Sequence, residues 1–282
     1  MIFSRRILCD LGIKITLSIP FWMQARLARA MQQHTEALSS KPQPWQIDPH
    51  HLIVIDPGHG GKDPGCIGHG NIYEKDIVLA TALDLNMMLR RAGYRTLMTR
   101  EKDIFVPLQN RVDFAERHHA TLLVSVHANA IIGHPDIRGA SVYTFSPDPS
   151  DPLAAEIAQS ENSVEILSTP NFKGVSKETS KILFDLMSRR TKIESIAAQR
   201  SMVSSLSERV DMLTNPARKA TFAVLQSDAI PSILVETAFL SNAKDEAALR
   251  TRAFRMRLSL SMKQAVDTWF LARQNSPENI ES

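Results

Sequence analysis

The stretch Leu52-Ile53-Val54-Ile55-Asp56-Pro57-Gly58-His59-Gly60-Gly61 places an unbroken apolar run directly before a glycine-rich loop. An apolar run without polar alternation is typical of a strand that is buried on both faces of a parallel sheet. Similar runs occur at Leu122–His127 and Ile233–Thr237, and a residue of metal-ligand type lies at or near the end of each. The three runs therefore predict three central strands whose carboxyl ends carry polar side chains.

Short apolar runs alternate with helical patterns from residue 51 onward. The predicted strands are Leu52–Asp56, Tyr94–Thr99, Leu122–His127, Ala140–Phe145, Thr221–Leu225 and Ile233–Thr237. The predicted helices are Asp76–Ala92, Leu108–His118, Leu153–Gln159, Lys177–Glu208 and Lys244–Leu271. This alternation predicts an α/β fold, a twisted and mainly parallel sheet of about six strands with helices on both faces. In such folds ligands bind beyond the carboxyl ends of the strands.

The composition excludes several classes of protein. The 282 residues carry 33 basic and 30 acidic side chains, a formal charge of +3. This near-even balance argues against a protein that coats nucleic acid, so no nucleic-acid partner is expected. Two cysteines cannot build a disulfide framework. No uncharged apolar run reaches about 18 residues, which excludes a polytopic membrane protein.

Residues 1–30 are predicted to be an export signal. The paired Arg5 and Arg6, the weakly apolar stretch Leu11–Met23 and the small residues Ala28 and Ala30 are typical of a cleaved signal of the twin-arginine type. We expect export to the periplasm, with no stable membrane insertion after processing. A basic amphipathic helix or a membrane anchor is the alternative. The segment holds five of the basic residues and one of the acidic ones, so the remainder has a net charge of −1.

The rest of the chain divides into three predicted regions. Residues 31–50 are polar and contain prolines, which is typical of a flexible tether. Residues 51–275 are predicted to form one catalytic domain, and residues 276–282 a C-terminal tail. Within the domain, residues from about 148 to 216 form an excursion far longer than an ordinary connection of about 2–6 residues. We interpret this excursion as a helical insertion.

His59 and His127 follow two of the central strands, and Glu236 ends the third. A lone histidine after a strand is more often structural, but the topology brings all three strand ends to one edge. A catalytic zinc site needs three protein ligands, typically two histidines and a carboxylate, and a base for the attacking water. Glu74 and Glu236 remain for these two roles, and the pattern alone leaves their assignment open. If there is no metal site, Glu74 would be an acidic residue that is favourable at a helix N-terminus, and Glu236 would be a buried carboxylate paired with a lysine or arginine.

Four ordered motifs make the chain resemble a known family. They are Val54-Ile55-Asp56-Pro57-Gly58-His59-Gly60-Gly61, Glu74-Lys75, Ser125-Val126-His127-Ala128-Asn129-Ala130 and Val235-Glu236-Thr237-Ala238-Phe239-Leu240-Ser241-Asn242. Together they resemble the zinc-dependent N-acetylmuramoyl-L-alanine amidases, peptidoglycan hydrolases of cell separation. The resemblance covers residues 51 to about 271. It implies one Zn²⁺ per chain held by His59, Glu74 and His127, with Glu236 as the general base.

The resemblance also implies a substrate and a mode of regulation. The bond cleaved would be the amide between N-acetylmuramic acid and the L-alanine of the stem peptide in peptidoglycan. One subgroup of the family has an insertion whose helix covers the zinc cleft until a periplasmic activator protein pulls it away. The segment from Ala154 to Asn162 resembles that helix, and Glu161, or next Glu156, would be the residue that plugs the zinc. The alternative is an extra helical layer packed on the sheet.

Two other functions remain open at this point. A zinc peptidase could use the same residues to cut within the stem peptide, and an inactive cell-wall-binding module could keep the fold without catalysis. Four further residues lie in or near the motifs. Asp56 is expected to be structural, Cys66 a small buried side chain, and Arg111 and Asn129 supports for either substrate or structure. A monomer is expected.

Overall fold

Strand β1, Leu52–Pro57, is buried at every position, because a parallel strand lies on each side of it and helices cover both faces of the sheet. The computed structural model describes residues 51–131, 133–168 and 189–274, with the single positions Glu178, Lys181, Ile182 and Asp185. The predicted signal 1–30, tether 31–50 and tail 276–282 lie outside the described residues. The other strands are β2 (Arg95–Met98), β3 (Leu122–His127), β4 (Ala140–Phe145), β5 (Met212–Ala220) and β6 (Ser232–Glu236).

The six described strands form one sheet in the order β2-β1-β3-β6-β4-β5. Strands β2, β1, β3 and β6 are parallel to one another, as are β4 and β5, whereas β4 is antiparallel to β6. His127 at the end of β3 is in register with Glu236 at the end of β6. The carboxyl ends of β1, β3 and β6 therefore meet at one edge of the sheet, which we call the site edge.

Six described helices and one 3₁₀ turn cover the sheet. The helices are α1 (Glu74–Arg91), α2 (Leu108–Arg117), α3 (Pro152–Ser168), α4 (Arg189–Ser207), α5 (Ala243–Arg250) and α6 (Arg252–Gln274). Helices α1 and α4 pack on one face, and α6 packs against both of them. Helices α2 and α3 cover the opposite face together with the 3₁₀ turn Ala223–Leu225. None of the described helices combines the length and the apolarity needed to cross a membrane.

The face under α3 carries a large apolar cluster. Tyr143 and Phe145 of β4 pack there with Ile157 of α3 and with Phe222, all of them buried. Residues of one strand alternate between the two faces, so Glu236 projects on the same face as Leu234, which belongs to this cluster. The packing of α3 on the cluster brings this helix next to the end of β6.

One predicted strand is wrong. The apolar segment Thr221–Leu225 is not part of the sheet: it leads into the 3₁₀ helix Ala223–Leu225, and its buried side chains Phe222, Val224 and Leu225 pack into the cluster under α3. The strand at this edge is instead β5, Met212–Ala220, whose burial pattern is mostly exposed or intermediate. It contains Pro216, which is tolerated because an edge strand leaves one side of its backbone without a ladder.

Two of the predicted helices need correction, and a third is only partly covered by the described residues. Helix α3 ends at Ser168 rather than at Gln159. The predicted helix Lys244–Leu271 is two helices, since Thr251 is extended (φ −83°, ψ 131°) and its hydroxyl accepts the Phe254 N–H at the start of α6. The predicted helix Lys177–Glu208 contains α4, and most of its first twelve residues lie outside the described part of the chain.

Candidate metal centre

Four buried side chains converge at the site edge: His59, Glu74, His127 and Glu161. Each offers one nitrogen or oxygen atom, and these four atoms lie within 4.8 Å of one another. His59 Nε2 is 3.1 Å from Glu74 Oε1 and 3.2 Å from Glu161 Oε2. His127 Nδ1 is 3.3 Å and 3.0 Å from the same two oxygens. Two imidazole nitrogens thus face two carboxylate oxygens across a space of atomic size.

The loop after β1 fixes the orientation of His59. Its backbone has a positive φ of 57°, and Arg111 holds this conformation by donating to the His59 carbonyl at 2.8 Å. The imidazole Nδ1 lies 2.8 Å from Asp63 Oδ2. Because Asp63 accepts at Nδ1, the opposite nitrogen Nε2 points into the cluster. A carboxylate on the outer nitrogen is the usual way in which proteins orient a metal-binding histidine.

Gly58 allows the two histidines to approach each other. A Cβ atom at this position would lie 2.3 Å from Cε1 of the His127 ring, far inside van der Waals contact. The glycine therefore lets the loop after β1 lie directly against the imidazole at the end of β3. The two rings reach a centroid separation of 4.9 Å in an edge-to-face arrangement.

Glu74 is the first residue of α1 and is fully buried. Its Oε2 accepts the Cys66 N–H at 2.9 Å, and its Oε1 accepts the Ala128 N–H at 2.8 Å. These backbone donors fix the carboxylate so that Oε1 also faces both imidazoles. The carboxylate is therefore part of the cluster rather than only a favourable charge at a helix N-terminus.

The electrostatics of the cluster favour a cation. Burial disfavours a charged imidazole, yet the carboxylates of Glu74 and Glu161 raise the pKa of His59 well above its ordinary value. The pKa of His127 is raised to about 10, because the effect of the Glu161 and Glu74 carboxylates outweighs that of burial. Burial likewise opposes the charge of Glu74, but His59 and His127 lower the pKa of its carboxyl. Positive charge is thus strongly stabilised between these groups.

The donor set fits a metal ion. Nε2 of His59 and Nδ1 of His127 are fully buried, and neither has a hydrogen-bond partner among the described residues despite the nearby oxygens. A buried polar atom without a partner is costly, and a metal ion would satisfy both nitrogens at once. Two imidazoles with carboxylates are typical ligands of zinc and related ions. The cluster can therefore hold a metal ion.

Glu161 reaches the cluster from α3. Asp151 fixes the start of this helix. Its Oδ1 accepts the Ala154 N–H at 3.0 Å, and its two carboxylate oxygens accept from Arg218 Nη1 at 2.8 and 2.9 Å. Near the middle of the helix, Asn162 donates to the Thr221 carbonyl at 2.6 Å and accepts the Ala223 N–H at 2.9 Å. The helix is anchored on both sides of the turn that carries Glu161.

Glu236 lies beside the cluster but outside the set of four. Its Oε2 accepts the Asn129 N–H at 3.0 Å, and its Oε1 lies 3.5 Å from Asn129 Nδ2. Burial raises the pKa of Glu236 to about 8; the carboxylates of Glu161 and Glu74 add to this shift, and His127 opposes it. A carboxyl group with a pKa near neutrality is suited to accept and to release a proton.

The sequence matches known amidases over most of its length. The family profile described as N-acetylmuramoyl-L-alanine amidase matches residues 53–268. The chain belongs to this amidase family. AmiA of Escherichia coli strain K12, an N-acetylmuramoyl-L-alanine amidase, is 32% identical over 269 residues, which cover 95% of this chain and 92% of AmiA. AmiC of Neisseria meningitidis serogroup B is 33% identical over 219 residues, covering 77% of this chain and 52% of AmiC.

Solved amidase structures share the fold. The N-acetylmuramoyl-L-alanine amidase AmiC2 of Nostoc punctiforme matches with a TM-score of 0.55 and 26% identity, covering 79% of this chain and 98% of that structure. The amidase of Clostridium difficile 630 matches with a TM-score of 0.58 and 21% identity, covering 80% and 99%. The family, the enzyme class and the fold class predicted from the sequence are confirmed.

The structure brings together most of the residues singled out in the amidase motifs. His59, Glu74 and His127 share the cluster, and Glu236 adjoins it. Of the two candidate plug residues, Glu161 is 5% exposed and lies in the cluster, whereas Glu156 is exposed to solvent. The two positions are five residues apart, which turns them by about 140° around a helix.

Asp56 and Arg111 form a buried pair that supports the loop after β1. The buried carboxylate of Asp56 is 2.7 Å from Arg111 Nη1 and also accepts from Ser125 Oγ at 2.7 Å. Burial opposes its charge, but Arg111 lowers the pKa of Asp56 below its usual value. Arg111 donates further to the carbonyls of Pro57 and His59. Both residues therefore hold the loop after β1, and the structure places Cys66 beside it, partly buried.

Two supporting residues were missed from the sequence. Asp63 lies in the glycine-rich loop, where its spacing of four residues from His59 was the available signal. The guanidinium of Arg100 is buried and donates to the carbonyls of Pro57, Gly58 and Lys75, and no local pattern marks it. It follows β2 in sequence and ties the metal-site loop to the start of α1.

Replacement of Asp63 by alanine is expected to weaken metal binding by about 10–100-fold, because the imidazole of His59 would lose the contact that orients it. Competition with a calibrated chelator measures this affinity. Asp103→Ala is the matched control: Asp103 accepts the Gly61 N–H in the same loop at 2.7 Å but does not touch a member of the cluster. Equal affinities of the Asp63 and Asp103 variants would contradict the orienting role of Asp63.

Proposed function

We propose that this protein is a zinc-dependent amidase that cleaves the bond between N-acetylmuramic acid and the L-alanine of the peptidoglycan stem peptide. The observation that carries the proposal is the pair of buried imidazole nitrogens that have no hydrogen-bond partner in the described part of the chain and that face Glu74 and adjoin Glu236. Membership of the amidase family supports the substrate class. The proposed ligands are His59, Glu74 and His127, and one ion is bound per chain.

Bound zinc supplies Lewis-acid polarisation of the scissile carbonyl and lowers the pKa of water toward about 7. The residues of the chain perform the remaining tasks. Glu236 takes a proton from the attacking water and passes it to the departing amine of L-alanine. The Asn129 N–H holds the Glu236 carboxylate during both steps. The raised pKa of Glu236 supports this role, since a base near neutrality serves both directions of transfer.

We also propose that the enzyme is autoinhibited by α3. Oε2 of Glu161 lies 3.0 and 3.2 Å from the two imidazole nitrogens, in the place that a fourth ligand would take. A catalytic zinc site must keep one position open for water or substrate. With Glu161 in that position the site is closed, and removal of the helix by a periplasmic activator protein opens it. The regulatory part would be α3, within the insertion from about 148 to 216.

The cellular setting follows from the same proposal. Export to the periplasm would bring the enzyme to peptidoglycan. The signal 1–30, with its pair of arginines, would direct this export by the twin-arginine route. The tether 31–50 would link the signal to the catalytic domain 51–275, with the tail at 276–282. We propose a role in cell separation and a monomeric state.

The test of the activity is product analysis. Purified protein loaded with one equivalent of zinc is incubated with soluble muropeptides, and the products are identified by mass spectrometry. We expect free stem peptides that begin with L-alanine, together with glycan whose lactyl groups end in carboxylates. Peptides cut between their own residues would instead indicate a zinc peptidase. No product from the zinc-loaded protein, even with the Glu161 carboxylate removed by Glu161→Ala, would indicate an inactive wall-binding module.

A further inference from the structure

Asn129 connects the two carboxylates that have opposite roles in the proposed function. Its side-chain Nδ2 lies 3.5 Å from Glu161 Oε1 and 3.5 Å from Glu236 Oε1. The residue follows β3 by two positions and is 1% exposed. One neutral amide, shielded from solvent, therefore faces both the carboxylate that closes the site and the carboxylate that serves as base.

The orientation of this amide is fixed by its other end. Asn129 Oδ1 accepts the backbone N–H of Ala130 at 2.5 Å and faces the thiol of Cys66 at 3.7 Å. A backbone N–H can only donate, so the atom facing it must be the oxygen of the amide. The nitrogen, with its two hydrogens, must then face the carboxylates. It can give one hydrogen to each of them.

We propose that Asn129 is a positioning residue that holds Glu161 over the metal ion in the closed state and orients Glu236 in the open state. The inference rests on the proposed function, because it assigns these two roles to Glu161 and Glu236. In the closed state the amide bridges the two carboxylates. When α3 moves away, the Glu161 carboxylate is no longer within reach of Asn129, and the amide donates to Glu236 alone.

Charge makes the bridge effective. Glu161 and Glu236 are both buried, and Glu161 raises the pKa of Glu236 alongside burial. A neutral donor between two acids lessens their repulsion without adding a cation that would compete with the metal. The Asn129 amide thus stabilises the closed state and remains bound to Glu236 in the open state. Release of Glu161 therefore leaves Glu236 already oriented.

The first test measures metal release rather than activity. Full-length protein loaded with zinc is mixed with an excess of chromogenic chelator, and the rate of zinc loss is recorded. Asn129→Asp keeps the acceptor for Ala130 but replaces the donor with an oxygen, and Asn129→Ala removes the donor without adding charge. Both should speed zinc loss by about five- to tenfold, since Glu161 would be held less firmly. In a Glu161→Ala background neither should change the rate.

The second test measures hydrolysis of soluble muropeptides in the Glu161→Ala background. There the Asn129 variants should lower kcat by about tenfold and leave KM within about twofold, because Glu236 loses its orienting donor while substrate contacts stay intact. Asn162→Ala is the matched comparison. Asn162 anchors the same helix turn through Thr221 and Ala223 but does not touch Glu236. It should speed zinc loss in the otherwise unchanged protein and leave kcat unchanged in the Glu161→Ala background.

The outcomes separate the inference from the proposed function. Zinc loss at the unchanged rate in both Asn129 variants, or a kcat equal to that of the Asn162 variant, would overturn the positioning role. A parent Glu161→Ala protein that cleaves no muropeptide would overturn the proposed function, and the zinc-release comparison would still decide whether Asn129 holds Glu161. Should the alanine variant fail to fold, the aspartate variant decides, because it preserves the hydrogen bond from Ala130.

Discussion

Replacement of Glu236 by glutamine is expected to lower the rate of muropeptide hydrolysis by about 10²–10⁴-fold, the range for loss of a general base. Glutamine has nearly the same shape and its amide oxygen can still accept the Asn129 N–H, which is 3.0 Å from the native carboxylate. It cannot take a proton from water. The measurement is kcat and KM with a defined muropeptide, with Glu161→Ala introduced to keep the site open.

Zinc content separates a base from a ligand in this experiment. Glu236 lies outside the group of four side chains that can hold the ion, so the variant should bind one equivalent of zinc as tightly as its parent. His127→Ala is the comparison, because it removes a proposed ligand and should lose both zinc and activity. Full activity of Glu236→Gln would refute the proposed base, and loss of zinc would make Glu236 a ligand.

Replacement of Glu161 by alanine is expected to raise basal hydrolysis of purified sacculi by about 10–100-fold. The carboxylate contacts both imidazoles of the cluster, and contacts of charged groups contribute about 1.5–3 kcal/mol each. Loss of one such contact changes a rate or an equilibrium by about one to two factors of ten. Release of soluble peptidoglycan fragments from labelled sacculi measures the effect without an activator.

Glu156→Ala is the matched control for this variant. It removes the same charge from the same helix, but at an exposed position on another side of α3. It should leave the basal rate within about twofold of the unchanged protein. A Glu161→Ala rate equal to that of the Glu156 control would refute autoinhibition by this residue, even if the amidase activity itself is present.

The central strands of the fold could be predicted because their signal is local. Three apolar runs predicted β1, β3 and β6, and the rule that parallel strands end at one edge then placed His59, His127 and Glu236 together. Buried parallel strands require such runs, so the physical cause and the sequence pattern coincide. The resemblance assigned Glu74 rather than Glu236 as the metal ligand and indicated the region of Glu161, which periodicity alone does not distinguish from other acids.

The edge of the sheet could not be predicted in the same way. Strand β5, Met212–Ala220, is half-exposed and polar, whereas the neighbouring apolar segment Thr221–Leu225 fills the core outside the sheet and leads into a 3₁₀ helix. Burial of a side chain and extension of its backbone are separate properties, and an apolar pattern reports only the first. The role of Asp63 in orienting His59 was marked only by a spacing of four residues, and the contact itself depends on the conformation of the loop, in which His59 has a positive φ.

The antiparallel direction of β4 relative to β6 sets the point about which α3 would turn in the proposed autoinhibition. Because β4 runs away from the site edge, the chain leaves it at the opposite end and α3 returns from there, pivoting on Asp151 and Arg218. Glu161 lies ten residues beyond this pivot, which is about 15 Å along a helix. A swing of only about 15° would carry its carboxylate about 4 Å from the imidazoles. In the proposed autoinhibition, such a swing would have to break the two hydrogen bonds of Asn162 and part of the packing of α3 on the apolar cluster.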